Sequence, residues 1–135
     1  MKANKTDRKK VFDKYNGHCA YCGCELTLKS MQVDHIVSRA YYFYHELGMK
    51  GYEEEPQYDI DDYENLNPSC MSCNKRKEST DLETFRRALE HCPESMLSTN
   101  ANFKQMVRYG QIKVVNGGKI EFYFEKFKNH NYNEA

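Results

Sequence analysis

The sequence has no long hydrophobic run and no excess of either charge. No apolar stretch approaches the roughly 18 residues that span a bilayer, and the mean hydropathy is -0.92, which excludes a membrane-spanning protein. Lys plus Arg and Asp plus Glu number 20 each, which excludes strong global electrostatics. Residues 1–10 are polar and cationic and no apolar signal segment follows, so we expect a cytoplasmic protein.

The chain also has no internal repeat and no low-complexity segment. Its 135 residues can bury the core of one domain but are too few for two full domains with a linker. We predict a main domain over residues 1–95, with its core at about 8–80. Residues 96–135 are predicted to form an extension packed on that domain.

The neutral total hides an uneven charge distribution. Residues 53–64 contain no Lys or Arg and seven acidic residues, namely Glu53, Glu54, Glu55, Asp59, Asp61, Asp62 and Glu64. The rest of the chain is therefore basic. Residues 38–62, which are tyrosine-rich and then acidic, are predicted to be an insert and not a core element. Its run Tyr41–Tyr44 is either a packing strip or an exposed aromatic surface.

Apolar periodicity predicts an α+β chain. Helices are predicted over residues 6–16, 74–77, 80–93 and 100–109, and strands over 31–37 and 63–68. A capping box at Thr80–Glu83 begins the third of these helices, and Pro93 should end it. Alternating apolar residues at 112–114 and 120–124 flank Asn116-Gly117-Gly118, which predicts a C-terminal β-hairpin.

The cysteine spacing is the strongest chemical signal. Cys19-Ala-Tyr-Cys22 and Cys70-Met-Ser-Cys73 are two C-x2-C knuckles separated by 47 residues. Four thiolates on two tight turns satisfy tetrahedral zinc and leave no open position, so we predict one structural Zn²⁺ bound by Cys19, Cys22, Cys70 and Cys73. Cys24 is too close to Cys22 to be the natural partner, although it can substitute for a ligand. Cys92 is predicted to be a packed residue at a helix end.

Three short motifs between and beside the two knuckles resemble those of a known protein family. They are Val33-Asp-His-Ile-Val37, Glu64-Asn-Leu66 and Cys70-Met-Ser-Cys-Asn-Lys-Arg-Lys77. In this order they resemble the HNH endonuclease family in its zinc-knuckle form, over about residues 8–80. The resemblance implies a ββα-metal core, here stapled by the four-cysteine zinc site and flanked by an N-terminal helix and a C-terminal helix plus hairpin.

The resemblance also implies a role for each motif residue. His35 is the expected general base, and Asn65 is expected to orient it by hydrogen bonding. Asp34 and Asn74 are the expected ligands of a catalytic Mg²⁺ or Mn²⁺. Asn74 stands where the namesake motif has histidine.

The chemistry of these residue types agrees with those roles. Histidine titrates near neutrality and suits water activation, while carboxylate and amide oxygens are hard ligands for magnesium or manganese. Neighbouring residues of a strand point to opposite faces, so Asp34 and His35 can serve one phosphate only if the strand ends or bulges there.

Double-stranded DNA is the expected substrate, and a homodimer is possible because one site cuts one strand. Candidate phosphate-binding residues are Lys75, Arg76, Lys77, Arg39, Lys9 and Lys10. The alternative for each is an ordinary solvated residue or, for Arg39, an ion pair with the acidic run. That run should repel DNA and face away from it.

Two other functions compete with a nuclease. A zinc deaminase is excluded because the sequence has no His-x-Glu and because Pro68 precedes Cys70 by two places. A non-catalytic, zinc-stapled nucleic-acid-binding module stays open as the alternative, although it does not require Asp34, His35, Asn65 and Asn74 together.

Overall fold

The structure is a computed structural model that describes residues 5–115 and 118–127. Along the chain lie α1 (Lys5–Asp13), β1 (Gln32–His35), α2 (Arg39–Glu46), a 3-10 turn (Tyr63–Asn65), β2 (Leu66–Ser69), α3 (Met71–Lys77), α4 (Leu82–Thr99) and α5 (Ala101–Arg108). Residues 123–127 are also helical. The predicted α+β class is confirmed. Among the described residues, no helix has the length and apolar character to cross a membrane.

The described chain groups into two compact units. One contains residues 5–82 together with 121–127, and the other contains residues 83–120. The first unit holds both strands and all the motifs described above. The predicted functional boundary at residue 95 stays a prediction.

A two-stranded antiparallel sheet lies at the centre of the first unit. Its register places Asp34 opposite Asn67 and His35 opposite Leu66. All four residues of β2 are buried. Beside the sheet, Val11, Met31 and Leu66 form a core against which Phe12, Leu26 and Val33 pack.

The turn that follows α1 is shaped by one glycine. Gly17 has a φ of +78°, and a Cβ there would lie 2.9 Å from the Phe12 ring. The Gly17 amide donates to the Phe12 carbonyl at 3.0 Å. Only glycine fits this turn without strain, and the turn leads directly into the first knuckle.

Residues 121–127 pack on the first knuckle and do not form the predicted β-hairpin. The Tyr123 and Phe124 amides donate to the Tyr21 and Ala20 carbonyls at 3.0 and 2.8 Å, and Phe122 meets the Tyr21 ring edge-on. The Phe122 amide donates to the Glu125 carboxylate, which starts a helical turn. No strand occurs at 111–115 or 118–122, while Asn116 and Gly117 lie outside the described residues.

One further expectation about the elements was wrong, and the insert holds a helix that the sequence pattern did not predict. The insert contains α2, which begins where the Ser38 hydroxyl accepts from the Tyr41 amide. Pro93 lies inside α4 and does not end it, because a proline removes one helix hydrogen bond while the flanking residues continue the helix. The Thr80 hydroxyl donates to the Lys77 carbonyl, a bond that ties it to α3.

The second unit confirms the last predicted helix. Asn100 caps α5 by accepting from the Phe103 amide at 2.9 Å. On α4, Glu90 accepts from the Ile120 amide at 3.0 Å, and Arg86 donates to the Ile120 carbonyl. Both backbone groups of Ile120 are thus bound to one helix.

Candidate functional site

The knuckles bring a group of thiols together in the first unit. The Sγ atoms of Cys19, Cys22, Cys24 and Cys70 lie within 4.8 Å of one another, and those of Cys22 and Cys70 are 3.9 Å apart. The first knuckle turns back through Gly23, whose φ is +80°. This cluster can hold a metal ion such as zinc.

Cys73, a predicted ligand, sits at the other side of the same cluster. Its amide donates to Cys70 Sγ at 3.3 Å. It does not belong to the four thiols that are all within 4.8 Å of one another. Cys92 hydrogen-bonds to the Ala88 carbonyl one turn earlier on α4, as a packed residue does.

Hydrogen bonding and burial separate the acidities of these thiols. The interaction with Cys73 lowers the pKa of Cys19 to about 4, which favours its thiolate form. Burial, with the neighbouring Cys22, raises the pKa of Cys24 to about 12. Several thiolates in this cluster would repel one another without a cation. A bound cation would offset that repulsion and favour the thiolate forms.

Asp34 lies at the second polar cluster of this unit. Its buried carboxylate accepts from the Tyr21 hydroxyl and from Lys77, whose Nζ is 3.2 Å from Oδ2. Lys77 also donates to the His35 carbonyl at 3.1 Å. Burial raises the pKa of Asp34, while Lys77 and Tyr21 oppose that rise.

Lys77 is fully buried. The prediction that it contacts DNA phosphates was therefore wrong: its ammonium compensates a carboxylate that would otherwise be buried alone. The sequence pattern showed a basic run on α3 and could not show which of its members turns inward.

His35 ends β1 and is held by a residue that the sequence reasoning missed. Its Nε2 lies 3.0 Å from Asp61 Oδ1, and the side chain is 12% exposed. Arg39 lies 3.9 Å from the same carboxylate oxygen. The hydrogen bond to His35 lowers the pKa of Asp61. The expectation that the acidic run faces away from the site is wrong for Asp61.

Asn65 is buried, and its side chain binds backbone and not the His35 ring. Its Oδ1 accepts from the Val37 amide at 2.8 Å, and its Nδ2 donates to the Val37 and Ile60 carbonyls. Asn65 thus fixes the backbone segments next to His35 and Asp61. Its role in orienting His35 stays a prediction.

Two more asparagines belong to the elements around Asp34. Asn74 is three residues before Lys77 on α3, a spacing that places the two side chains on one side of the helix. Asn67, opposite Asp34 in the sheet, donates to the Tyr21 hydroxyl at 3.4 Å. Asn67 Oδ1 is buried and has no hydrogen-bond partner among the described residues.

The remaining candidate DNA-binding residues lie on the surface. Lys75 and Arg76 are exposed on α3, as is Lys10 on α1. Lys9 pairs with Asp13 at 3.1 Å. For Arg39 the structure shows the alternative, an ion pair with the acidic run.

The tyrosine run of the insert mainly packs. On α2, the rings of Tyr41 and Tyr44 lie 5.3 and 5.0 Å from that of Tyr52, while Phe43 is 60% exposed. This arrangement favours the packing interpretation for the tyrosines.

Comparisons with known proteins give little beyond this geometry. No protein-family model matches the chain, and no curated protein matches it. Among solved structures, it is similar to the Type II-C Cas9 enzyme from Actinomyces naeslundii, with 22% identity and a TM-score of 0.46. The match covers 63% of this chain and 7% of that chain. The function is therefore argued from the site itself.

Proposed function

We propose that the chain is a metal-dependent endonuclease of the HNH type that hydrolyses DNA phosphodiester bonds. One observation carries the proposal: His35, held at Nε2 by Asp61, directly follows the buried carboxylate of Asp34 where β1 ends. A strand end relaxes the alternation that would otherwise direct the two side chains apart. The surrounding order of β1, β2 and α3 fits a ββα-metal core.

His35 is the proposed general base. A carboxylate only accepts hydrogen bonds, so Nε2 carries the proton in the bond to Asp61. In the neutral ring Nδ1 then holds the lone pair that can take a proton from water. A positioned general base contributes about 10²–10⁴-fold to a rate.

The residues present also fit a divalent cation. Asp34 and Asn74 are the proposed ligands, and their oxygens suit Mg²⁺ or Mn²⁺. Asn67 Oδ1 lies opposite Asp34 and is a buried acceptor with no donor among the described residues, so it can accept from a cation's bound water or bind the cation directly. When bound, the cation would stabilise charge on the phosphoryl and leaving oxygens.

Lys77 is compatible with that cation. It lies 3.2 Å from Asp34 Oδ2 but 3.4 Å from Oδ1, so Oδ1 is the less engaged oxygen. An ionised carboxylate has about four acceptor positions. Lys77 therefore holds the carboxylate in place and leaves a lone pair of Oδ1 for a ligand.

The proposed zinc site positions the catalytic helix. Cys70 Sγ accepts from the Cys73 amide and caps α3, which carries Asn74 and Lys77. Zinc bound through Cys19, Cys22, Cys70 and Cys73 would fix the start of this helix. Lys75 and Arg76 on α3, with Lys9 and Lys10, are the proposed contacts to double-stranded DNA.

A supercoiled-plasmid assay tests the proposal. The wild-type chain, His35→Ala and the control His91→Ala, an exposed histidine paired with Glu94, are compared in Mg²⁺, in Mn²⁺ and with a chelator. We expect nicking by the wild type and the control, loss on chelation, and a rate at least about 10²-fold lower for His35→Ala. Equal rates for His35→Ala and wild type would remove the proposed base.

A non-catalytic nucleic-acid-binding module is the second candidate. It is favoured by the ion pair of Lys77 with Asp34, which compensates the carboxylate without any cation. Salt-sensitive retention of DNA with no cleavage under any metal condition would support this module against the nuclease.

A further inference from the structure

Five thiols meet at the metal cluster, although tetrahedral zinc binds four ligands. Cys19, Cys22, Cys24 and Cys70 have their sulfurs within 4.8 Å of one another. Cys73 adds a fifth thiol from the first turn of α3, where its amide donates to Cys70 Sγ at 3.3 Å. The site therefore offers two overlapping sets of four ligands.

Backbone hydrogen bonds place Cys24 in the cluster. The Cys19 amide donates to the Cys24 carbonyl at 2.8 Å, and an isolated bridge pairs His18 with Glu25. These bonds close the knuckle into a small loop. The loop brings the Cys24 thiol, which follows the turn, close to the Cys19 thiol, which precedes it. The C-x2-C spacing alone does not reveal this return.

Cys73 approaches from the opposite element. It lies in the first turn of α3, where its amide donates to Cys70 Sγ. Cys24 and Cys73 thus approach three shared thiols from different segments, one from the knuckle loop and one from the helix.

We propose that Cys24 and Cys73 exchange as the fourth ligand of one zinc ion, while Cys19, Cys22 and Cys70 remain bound. In the exchange one zinc–sulfur bond forms and another breaks, and the proton of the incoming thiol passes to the leaving thiolate, with no change of oxidation state. The proposal is independent of the nuclease function.

Zinc content of purified full-length variants tests the exchange. We compare wild type, Cys24→Ser, Cys73→Ser, the double variant Cys24→Ser/Cys73→Ser, and two references. Cys92→Ser removes the thiol bound to the Ala88 carbonyl on α4, and Cys19→Ser removes a shared ligand. We expect about one zinc ion per chain in the wild type, in Cys92→Ser and in both single variants. Zinc should be lost in the double variant, which keeps only the three shared thiols, and should be bound more weakly in Cys19→Ser, which keeps four thiols but loses a shared one.

Alkylation of the zinc-loaded chain gives a second readout that does not depend on the double variant folding. In the Cys92→Ser background, iodoacetamide should modify one thiol per chain, divided between Cys24 and Cys73. After removal of either one, the other should be protected.

Specific outcomes overturn the proposal. Loss of zinc from Cys73→Ser alone would leave the two C-x2-C knuckles as a fixed ligand set. Loss from Cys24→Ser alone would make Cys24 a fixed ligand in place of Cys73. A wild-type chain that binds no zinc would remove the site altogether, whatever the outcome of the plasmid assay.

Discussion

The two polar clusters of the first unit balance their charges in different ways. The thiol cluster gathers groups of one kind, which repel one another as thiolates, and only an added cation can balance them. The carboxylate of Asp34 is balanced by the chain's own Lys77 and by Tyr21. One cluster therefore needs a ligand to balance its thiolates, whereas the Asp34 carboxylate is already paired within the folded chain.

Helix α3 connects the two clusters. It begins at the cap formed by Cys70 and ends at Lys77, which reaches Asp34 and the His35 carbonyl. Loss of either cluster should destabilise this helix. The expected loss of unfolding free energy is larger for removal of the metal than for removal of the ion pair.

The largest effect is expected from loss of the metal. Structural zinc contributes about 10–16 kcal/mol to the folding of small metal-dependent domains, so chelation or Cys70→Ser should abolish cooperative unfolding of the first unit. Circular dichroism with thermal melting measures the change, and Cys92→Ser is the matched control. An unchanged melting curve after complete zinc removal would mean that the thiol cluster holds without a cation.

The next effect concerns the buried ion pair. Removing one partner of such a pair costs about 3–5 kcal/mol, so Lys77→Met should lower the free energy of unfolding in urea by that amount. Lys75→Met, on an exposed position of the same helix, is the control. Adding Asp34→Asn to Lys77→Met should restore part of the loss, and no restoration would show that the two side chains are not energetically coupled.

A smaller effect is expected at Asp61. Residues that orient a site through a second hydrogen bond typically change activity by about 10–100-fold, so Asp61→Ala should slow plasmid cleavage by that factor. Asp59→Ala removes the same charge two residues away and should have little effect. Nitrogen NMR of His35 should show the proton on Nε2 in the wild type and a mixture of tautomers in Asp61→Ala, whether or not the chain cleaves DNA.

The smallest effect is a pH dependence of stability. The pKa of Asp61 is lowered by its bond to His35, so the carboxylate stabilises the fold above the ordinary aspartate pKa, and this contribution is lost as the pH falls through the lowered value. A partly exposed pair contributes about 0–1 kcal/mol. Asp61→Asn should therefore lose less stability than the wild type between about pH 6 and pH 3; a larger loss would contradict this sign.

The part of the site that follows from local spacing was predictable. Two C-x2-C knuckles identify cysteines that converge, and the structure confirms a cluster containing Cys19, Cys22 and Cys70. The long-range pairs were not predictable. Lys77 meets Asp34 across 43 residues, and Asp61 meets His35 across 26, and no periodicity within one element encodes such contacts.

The C-terminal segment shows why a correct pattern can predict the wrong element. Ile120, Phe122 and Phe124 alternate as in a strand, but side-chain packing outweighs this preference. Phe122 and Phe124 pack against the Tyr21 ring, and Glu125 accepts from the Phe122 amide. Phe122 is buried and Phe124 is half-buried, and their partners lie on the first knuckle.

The clasp of residues 121–127 on the first knuckle has a consequence for assembly during synthesis. Its amides bind the carbonyls of Ala20 and Tyr21, about a hundred residues earlier in the chain. A nascent chain that has released only the cysteines and the strands lacks this clasp. The first knuckle, near the start of the chain, is therefore covered only after residues 121–127 have been synthesised. A ribosome-bound chain stopped before residue 121 should keep this knuckle accessible to proteases and thiol reagents.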